Sequence, residues 1–245
     1  MSKTHVTILT PIVHDRFHPI RTSGAGNLRF VRGLDYRVLE WINGWPQTFS
    51  PFLKFFSVAM SQLWVKVALG VFLIWLIWRG GKSRLAALFA LASIGIANTL
   101  TNVFKEAWPV SRPFQDFPYI KVDDTGVAGP LQTIHAKVLD PSIQVLLRVG
   151  HSDSMGTASA HSANMAAVAF VMTYQLGWKW GIPWIFIALL TGISRVYTGA
   201  HYPGQVMLGW LCGIFAASVV IKTWEAWQRS RFPVQSGGDE EPELP

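Results

Sequence analysis

The chain is short of charge, of acids and above all of cysteine. Of its 245 residues 14% are charged, where soluble domains average about 25%. That argues against an ordinary water-soluble globule. A single cysteine, Cys212, lies inside an apolar run, so no internal disulfide can form and the thiol reads as a small core residue. Acids number 14 against 21 basic residues. The paired acids Asp123 and Asp124 have no histidine or glutamate at ligand spacing nearby, which argues against a metal centre there. Residues 1–33 are polar and basic and contain no apolar stretch the length of a signal-peptide core.

Half of the residues are hydrophobic, and they come in blocks. Five apolar stretches, at 62–78, 83–105, 160–177, 181–198 and 204–222, approach the length needed to cross roughly 30 Å of hydrocarbon. Between 34 and 61 the charges of Arg37, Glu40 and Lys54 interrupt the apolar runs, so that segment is expected to form short interfacial helices, or a sixth span. The expected fold is all-α, a polytopic membrane bundle of five to six helices. Its parts are a basic N-terminal segment over 1–60, a transmembrane domain over 61–230 with an extramembrane loop at 106–158, and a disordered acidic tail over 231–245. Gly209 and Gly213 sit at the GxxxG spacing that lets helices approach closely.

The net charge of +7 flanks the apolar spans, which points to anionic headgroups and not to nucleic acid. Following the spans alternately across a bilayer places Arg79, Lys82, Arg84, Lys179, Lys222, Arg229 and Arg231 on one face. Lys66, Lys121, Lys137 and Arg148 fall on the other, together with Lys105, Arg112 and Arg195. With the last three set aside, the positive-inside bias makes the first face cytoplasmic. Trp75, Trp78, Trp178, Trp180, Trp184, Trp224 and Trp227 collect near that face, as an aromatic belt does.

On the opposite face three clusters gather at span ends: Lys105-x6-Arg112-Pro113, Ser159-Ala160-His161, and Ser194-Arg195-x5-His201-x3-Gln205. Three fixed cations and two imidazoles suit a phosphate group at the membrane surface. Pro203 fits the first turn of a helix, which puts His201 just before a helix start. His161 lies at the start of 160–177, so two helix N-termini face one anion. Taken singly, each residue has an ordinary structural reading. Lys105 can snorkel, and the histidines can serve as turn residues. The fixed spacing and the shared face favour a site. His151 is an alternative to His161 but lies ten residues further from the helix start, and Asp153 is an alternative carboxylate that reads as a solvated loop acid.

These motifs resemble those of the type 2 phosphatidic acid phosphatase (PAP2) superfamily: KxxxxxxRP, PSGH and SRxxxxxHxxxD. The resemblance covers roughly residues 34–222, and His161-Ser162-Ala163-Asn164 is similar to a form common among bacterial members. It implies a nucleophile at His201 that forms a phosphohistidine, an acid at His161, and phosphate contacts from Lys105, Arg112, Arg195, Ser159 and the backbone at Ala160. No cofactor or metal is implied. The chain departs from the pattern at Ala158 and Ala160, and at Gln205 where the family pattern has Asp. Ala160 requires a negative φ. Gln205 can still accept from His201, without the charge.

The function so implied is a metal-independent lipid phosphatase at the extracytoplasmic face of a bacterial plasma membrane. An undecaprenyl-pyrophosphate type substrate is favoured. Phosphatidylglycerophosphate, phosphatidate, lipid A phosphate, a soluble sugar phosphate, a non-catalytic lipid-phosphate binder and a transporter component stay open, as does the oligomeric state.

Overall fold

The computed structural model of the chain describes residues 25–59, 62–116, 120–122, 145–148 and 155–232. Asp123, Asp124, His151 and Asp153 and the acidic tail beyond 232 lie outside these. In chain order the elements are α1 (Ala25–Asn43), a 3-10 turn (Gln47–Phe49), α2 (Ser50–Val58), α3 (Leu63–Arg79) and α4 (Gly81–Ala107). There follow α5 (Pro113–Asp116), β1 (Ile120–Val122), β2 (Val145–Leu147), α6 (Ala160–Leu176), α7 (Trp178–Tyr197) and α8 (Pro203–Arg231). Helices dominate, and the bundle is all-α apart from one short parallel pair, β1 with β2. That pair, like α5, falls inside the extramembrane loop expected over 106–158.

Helix α6 is the axle of the bundle, packed against α4, α7 and α8. Its alanines allow this: Ala163, Ala166, Ala167 and Ala169 are buried. Helix α8 comes close enough that a Cβ at Gly209 would lie 2.4 Å from the Ser159 carbonyl oxygen, and one at Gly213 2.1 Å from that of Ala163. The glycine pair thus sets how near α8 lies to the start of α6. At the other end Leu76, Phe89, Val171, Met172 and Ile221 form the main apolar core. Val71, Ile74, Ile182, Phe186, Leu211 and Phe215 are exposed on the outside, as a lipid-facing surface requires.

Among the described residues three helices, α4, α7 and α8, are long and apolar enough to cross a membrane. A fourth crossing arises if the stretch Gln47–Val58 and α3, bent by 58° at their junction, make one broken span. By length and composition that gives three to four crossings, where five to six were expected. Both α3 and α6 have 17 residues, about 26 Å at 1.5 Å per residue and so under the full hydrocarbon thickness. The shortfall is natural for α6, whose neighbours cover most of its surface.

The N-terminal helices lie against the ends of α7 and α8. Asn43 clamps β2 to α7: its Nδ2 donates to Leu146 O (2.9 Å) and Tyr197 O (2.8 Å), and its Oδ1 accepts from Leu146 N (2.7 Å). Asp35 Oδ1 accepts from Gly204 N at 2.7 Å and so closes the first turn of α8. Helix α1 begins at Ala25, nine residues before the expected segment, and Leu39 and Ile42 are buried along it.

Candidate active site

Four helix ends and one short strap meet at the end of the bundle remote from Trp178, Trp224 and Trp227. Lys105 stands in the last turn of α4. The chain then passes through 108–112 and turns into α5, with Pro113 at its first position. This strap is fastened to the segment preceding α6. Gly156 N donates to Val110 O (2.8 Å), Val110 N to Thr157 Oγ1 (3.2 Å), and Thr157 Oγ1 to Trp108 O. Arg112 is thereby held inside, 5% exposed.

Ser159 caps α6, its Oγ accepting from Ser162 N (3.4 Å) and from Ser162 Oγ (2.9 Å). Its own hydroxyl proton remains to be donated. Ser159 N donates to Gln205 O at 3.0 Å, which fastens the start of α6 to the first turn of α8. Among the described residues only glycines have positive φ, so Ala160 meets the backbone condition set by its departure from the family pattern.

The α7–α8 corner carries Arg195 and His201. The Arg195 carbonyl accepts from Ala200 N (3.0 Å) and His201 N (3.2 Å), and Gly199 makes the turn at φ +73°. A side chain there would also press on Leu146 O at 2.9 Å, so both φ and space favour glycine.

Gln205 is the hub. Its Oε1 accepts from Tyr202 N (3.2 Å) and lies 3.0 Å from His201 Nδ1, while its Nε2 donates to Ser111 O (2.8 Å). Two of these contacts fix the amide orientation, since a backbone N–H can only donate and a carbonyl can only accept. Oε1 therefore faces His201 as an acceptor, Nδ1 carries the proton, and Nε2 keeps its lone pair. Gly156 presses on this hub: a Cβ there would lie 2.5 Å from Arg112 Cγ and 2.8 Å from Gln205 Oε1. Neither Gly156 nor the Ser111 carbonyl carries a motif signal in the sequence.

Arg112, Ser159, His201 and Gln205 are buried and form the floor, while Lys105, Ala160, His161 and Arg195 are half-buried and form the rim. Electrostatic interactions join the set. Lys105 acts on Arg112, Arg195 and His161, and His201 feels Arg195, Arg112 and His161. Burial first, then the charges of Arg195 and Arg112, hold the His201 imidazole well below its usual 6.5, and the Gln205 bond opposes this only in part. His201 is thus neutral at physiological pH. Arg195 Nε is buried without a hydrogen-bond partner among the described residues. No group of three His, Cys, Asp or Glu suited to a metal ion occurs among the described residues. All eight residues singled out from the sequence thus belong to one end of the bundle.

The bacitracin transport permease protein BcrC of Bacillus licheniformis is 25% identical over 157 residues, and the match spans 64% of this chain and 64% of that protein. The chain therefore covers just under two thirds of this curated relative. The fold is similar to that of Aquifex aeolicus LpxE (TM-score 0.55, 19% identity, 77% of this chain and 95% of that one). It is also similar to a transmembrane PAP2-type phosphatidylglycerolphosphate phosphatase from Bacillus subtilis (TM-score 0.56, 20% identity, 82% and 89%). Residues 86–229, more than half of the chain and including all three clusters, match the PAP2 superfamily, and the protein belongs to it.

Proposed function

We propose that the protein hydrolyses a phosphate monoester or pyrophosphate carried on a lipid, through a phosphohistidine at His201. The observation that carries this reading is the Gln205 network, which leaves the lone pair on His201 Nε2 inside a ring of cations. In the first step Nε2 attacks phosphorus, a P–N bond forms and the P–O bond to the lipid breaks. His161 enters as imidazolium, the form that an adjacent phosphate dianion favours, and passes its proton to the leaving oxygen. In the second step neutral His161 takes a proton from water, whose oxygen attacks phosphorus as the P–N bond breaks and inorganic phosphate departs. One hard displacement becomes two easier ones. Arg112, Arg195 and Lys105 balance the charge on the equatorial oxygens throughout.

The favoured substrate is of the undecaprenyl-pyrophosphate type, met on the extracytoplasmic side. Support comes from the distance along α4. Its basic start at Lys82 and Arg84 and its end at Lys105 are separated by most of a 27-residue helix, about 40 Å in all at 1.5 Å per residue. The site and the cytoplasmic basic cluster are then on opposite faces. A phosphomonoester lipid is the second candidate, motivated by the phosphatidylglycerolphosphate phosphatase of similar fold. The name of BcrC suggests solute transport instead, but a transport path gives no reason for the His201–Gln205 hydrogen bond. The test is phosphate release by purified protein from undecaprenyl pyrophosphate, phosphatidylglycerophosphate, phosphatidate and lipid A phosphate. Release from none of them above the His201→Ala background would reject hydrolysis.

A further inference from the structure

Helix α2 lies outside the residues that match the superfamily, yet its inner face is polar. Ser50, Leu53, Lys54 and Ser57 are the buried residues, spaced as one helical stripe, while Phe52 and Phe55 are exposed. That stripe rests on the end of α7. Ser50 Oγ and Tyr197 Oη are 2.6 Å apart. Arg195 Nη1 donates to both Ser57 O and Ser57 Oγ at 3.0 Å, and Ser57 Oγ is 3.1 Å from Thr198 Oγ1.

Two physical consequences follow. The Ser57 carbonyl belongs to the last turn of α2, where carbonyls lack intrahelical donors and carry the negative end of the helix dipole. A cation is the natural partner for it. The second consequence concerns which edge of the guanidinium remains. Nη1 is spoken for by Ser57, whereas Nε is buried and has no hydrogen-bond partner among the described residues. The Nε–Nη2 edge, whose two N–H bonds run parallel, is left to grip an oxyanion in the bidentate manner.

We infer that Ser57 is a positioning residue of the active site: it holds Arg195 by Nη1 so that the Nε–Nη2 edge faces the substrate phosphoryl group. This rests on the phosphatase reading only in taking a phosphoryl group as the ligand. The expected signature is affinity for a phosphoryl-like anion more than turnover.

Orthovanadate serves as the probe, and its binding is read as the rise in Tm of the purified full-length protein, which needs no catalysis. Ser57→Ala removes the hydroxyl and leaves the carbonyl, so vanadate affinity should fall about twofold to twelvefold, the range for one ordinary hydrogen bond, because the companion bond to the carbonyl still holds the guanidinium. KM for the lipid phosphate should rise in proportion and kcat should move less. In an Arg195→Ala background the same substitution should change vanadate affinity less than about twofold, because the partner is gone. Equal losses in both backgrounds would overturn the inference, as would a Ser57→Ala protein of lowered Tm with wild-type affinity, or a wild-type protein that binds no vanadate. A wild-type protein that binds vanadate but releases phosphate from no lipid, with affinity still lowered by Ser57→Ala, would reject the hydrolase and keep the clamp.

Discussion

The sharpest perturbation is at Gln205, because three hydrogen bonds of different polarity meet on one amide that is 5% exposed. Gln205→Ala leaves the His201 Nδ1–H, the Tyr202 N–H and the Ser111 carbonyl without their partner, at about 1–3 kcal/mol for each that water does not reach. The larger effect is on the reaction. Once Nδ1 loses its acceptor the proton is free to sit on Nε2, and the nucleophile is spent. By comparison with an Asp-to-Asn change in a serine-protease triad, which costs about 10⁴, kcat should fall by about ten- to a thousandfold, since Gln contributes no charge to lose. Gln205→Glu is the more discriminating variant. Its length is right and one oxygen still faces His201, but the other replaces a donor that now sits 2.8 Å from the Ser111 carbonyl. Only the protonated acid can keep that contact. The Glu variant should therefore be most active at the acid end and lose activity at a lower pH than the wild type, whose own alkaline limb is the loss of the His161 proton. The assay is phosphate release at saturating lipid substrate between about pH 5 and 9, with kcat and KM separated. Undiminished kcat in Gln205→Ala would refute the orienting role. A Glu variant as active as wild type at all pH would refute the donor role of Nε2 toward Ser111.

His201→Ala should lower kcat by at least about a thousandfold while vanadate still binds, since Arg112, Arg195 and Lys105 remain; substantial residual turnover would exclude the phosphohistidine. Activity should persist in EDTA, because guanidinium and ammonium groups take the place of a cation; loss on chelation with recovery on adding a divalent ion would count against this. The depressed pKa of His201 has a definite sign: the unfolded histidine binds a proton near 6.5 before the folded one does, so stability is full above that pH and falls as pH drops below it. Its acid limb in kcat/KM should accordingly lie below pH 6.5 and move upward in Arg112→Ala, where one repelling charge is gone; an unmoved limb would assign it to another group. A cysteine placed in loop 106–158 of a Cys212→Ala protein should react with an impermeant thiol reagent from outside intact cells, and one in the turn at 79–84 should not; the reverse pattern would put the site in the cytoplasm.

The bundle was legible because burial in lipid demands long apolar helices and little else imitates them. The stretches 83–105 and 160–177 coincide closely with α4 and α6. Helix α8 continues to Arg231, nine residues beyond the expected end at 222. Hydropathy stops where the apolar run stops, but backbone hydrogen bonding does not, and Glu225 pairs with Lys222 at 2.9 Å along the polar extension. What the pattern could not supply is the long-range stitching. Asp35 meets Gly204 and Ser57 meets Arg195 across 169 and 138 positions. Neither residue has a local signature, because a serine facing inward from a short helix looks like any serine facing water. The β1–β2 pair went unseen for a similar reason: three residues a side are too few for alternation to register.

The site divides along the same line. Its charges were legible through spacing, because a helix end fixes where a side chain at a given offset must point. The exchange of Asp for Gln at 205 looked from the sequence like a loss of charge on the orienting group. In the folded chain it follows from three demands on one position. Position 205 is the third residue of α8, where Glu or Gln reaches back to the capping N–H, and Oε1 does this to Tyr202. The same oxygen must accept from His201. The strap carrying Arg112 presents the Ser111 carbonyl, which needs a donor. A carboxylate satisfies the first two demands and repels the third, whereas an amide satisfies all three. Gly156 then follows, since any side chain there would strike that amide and Arg112 together. The tautomer of His201 and the placement of Arg112 are thereby set by the same amide group, so a change at 205 should disturb turnover and vanadate affinity together.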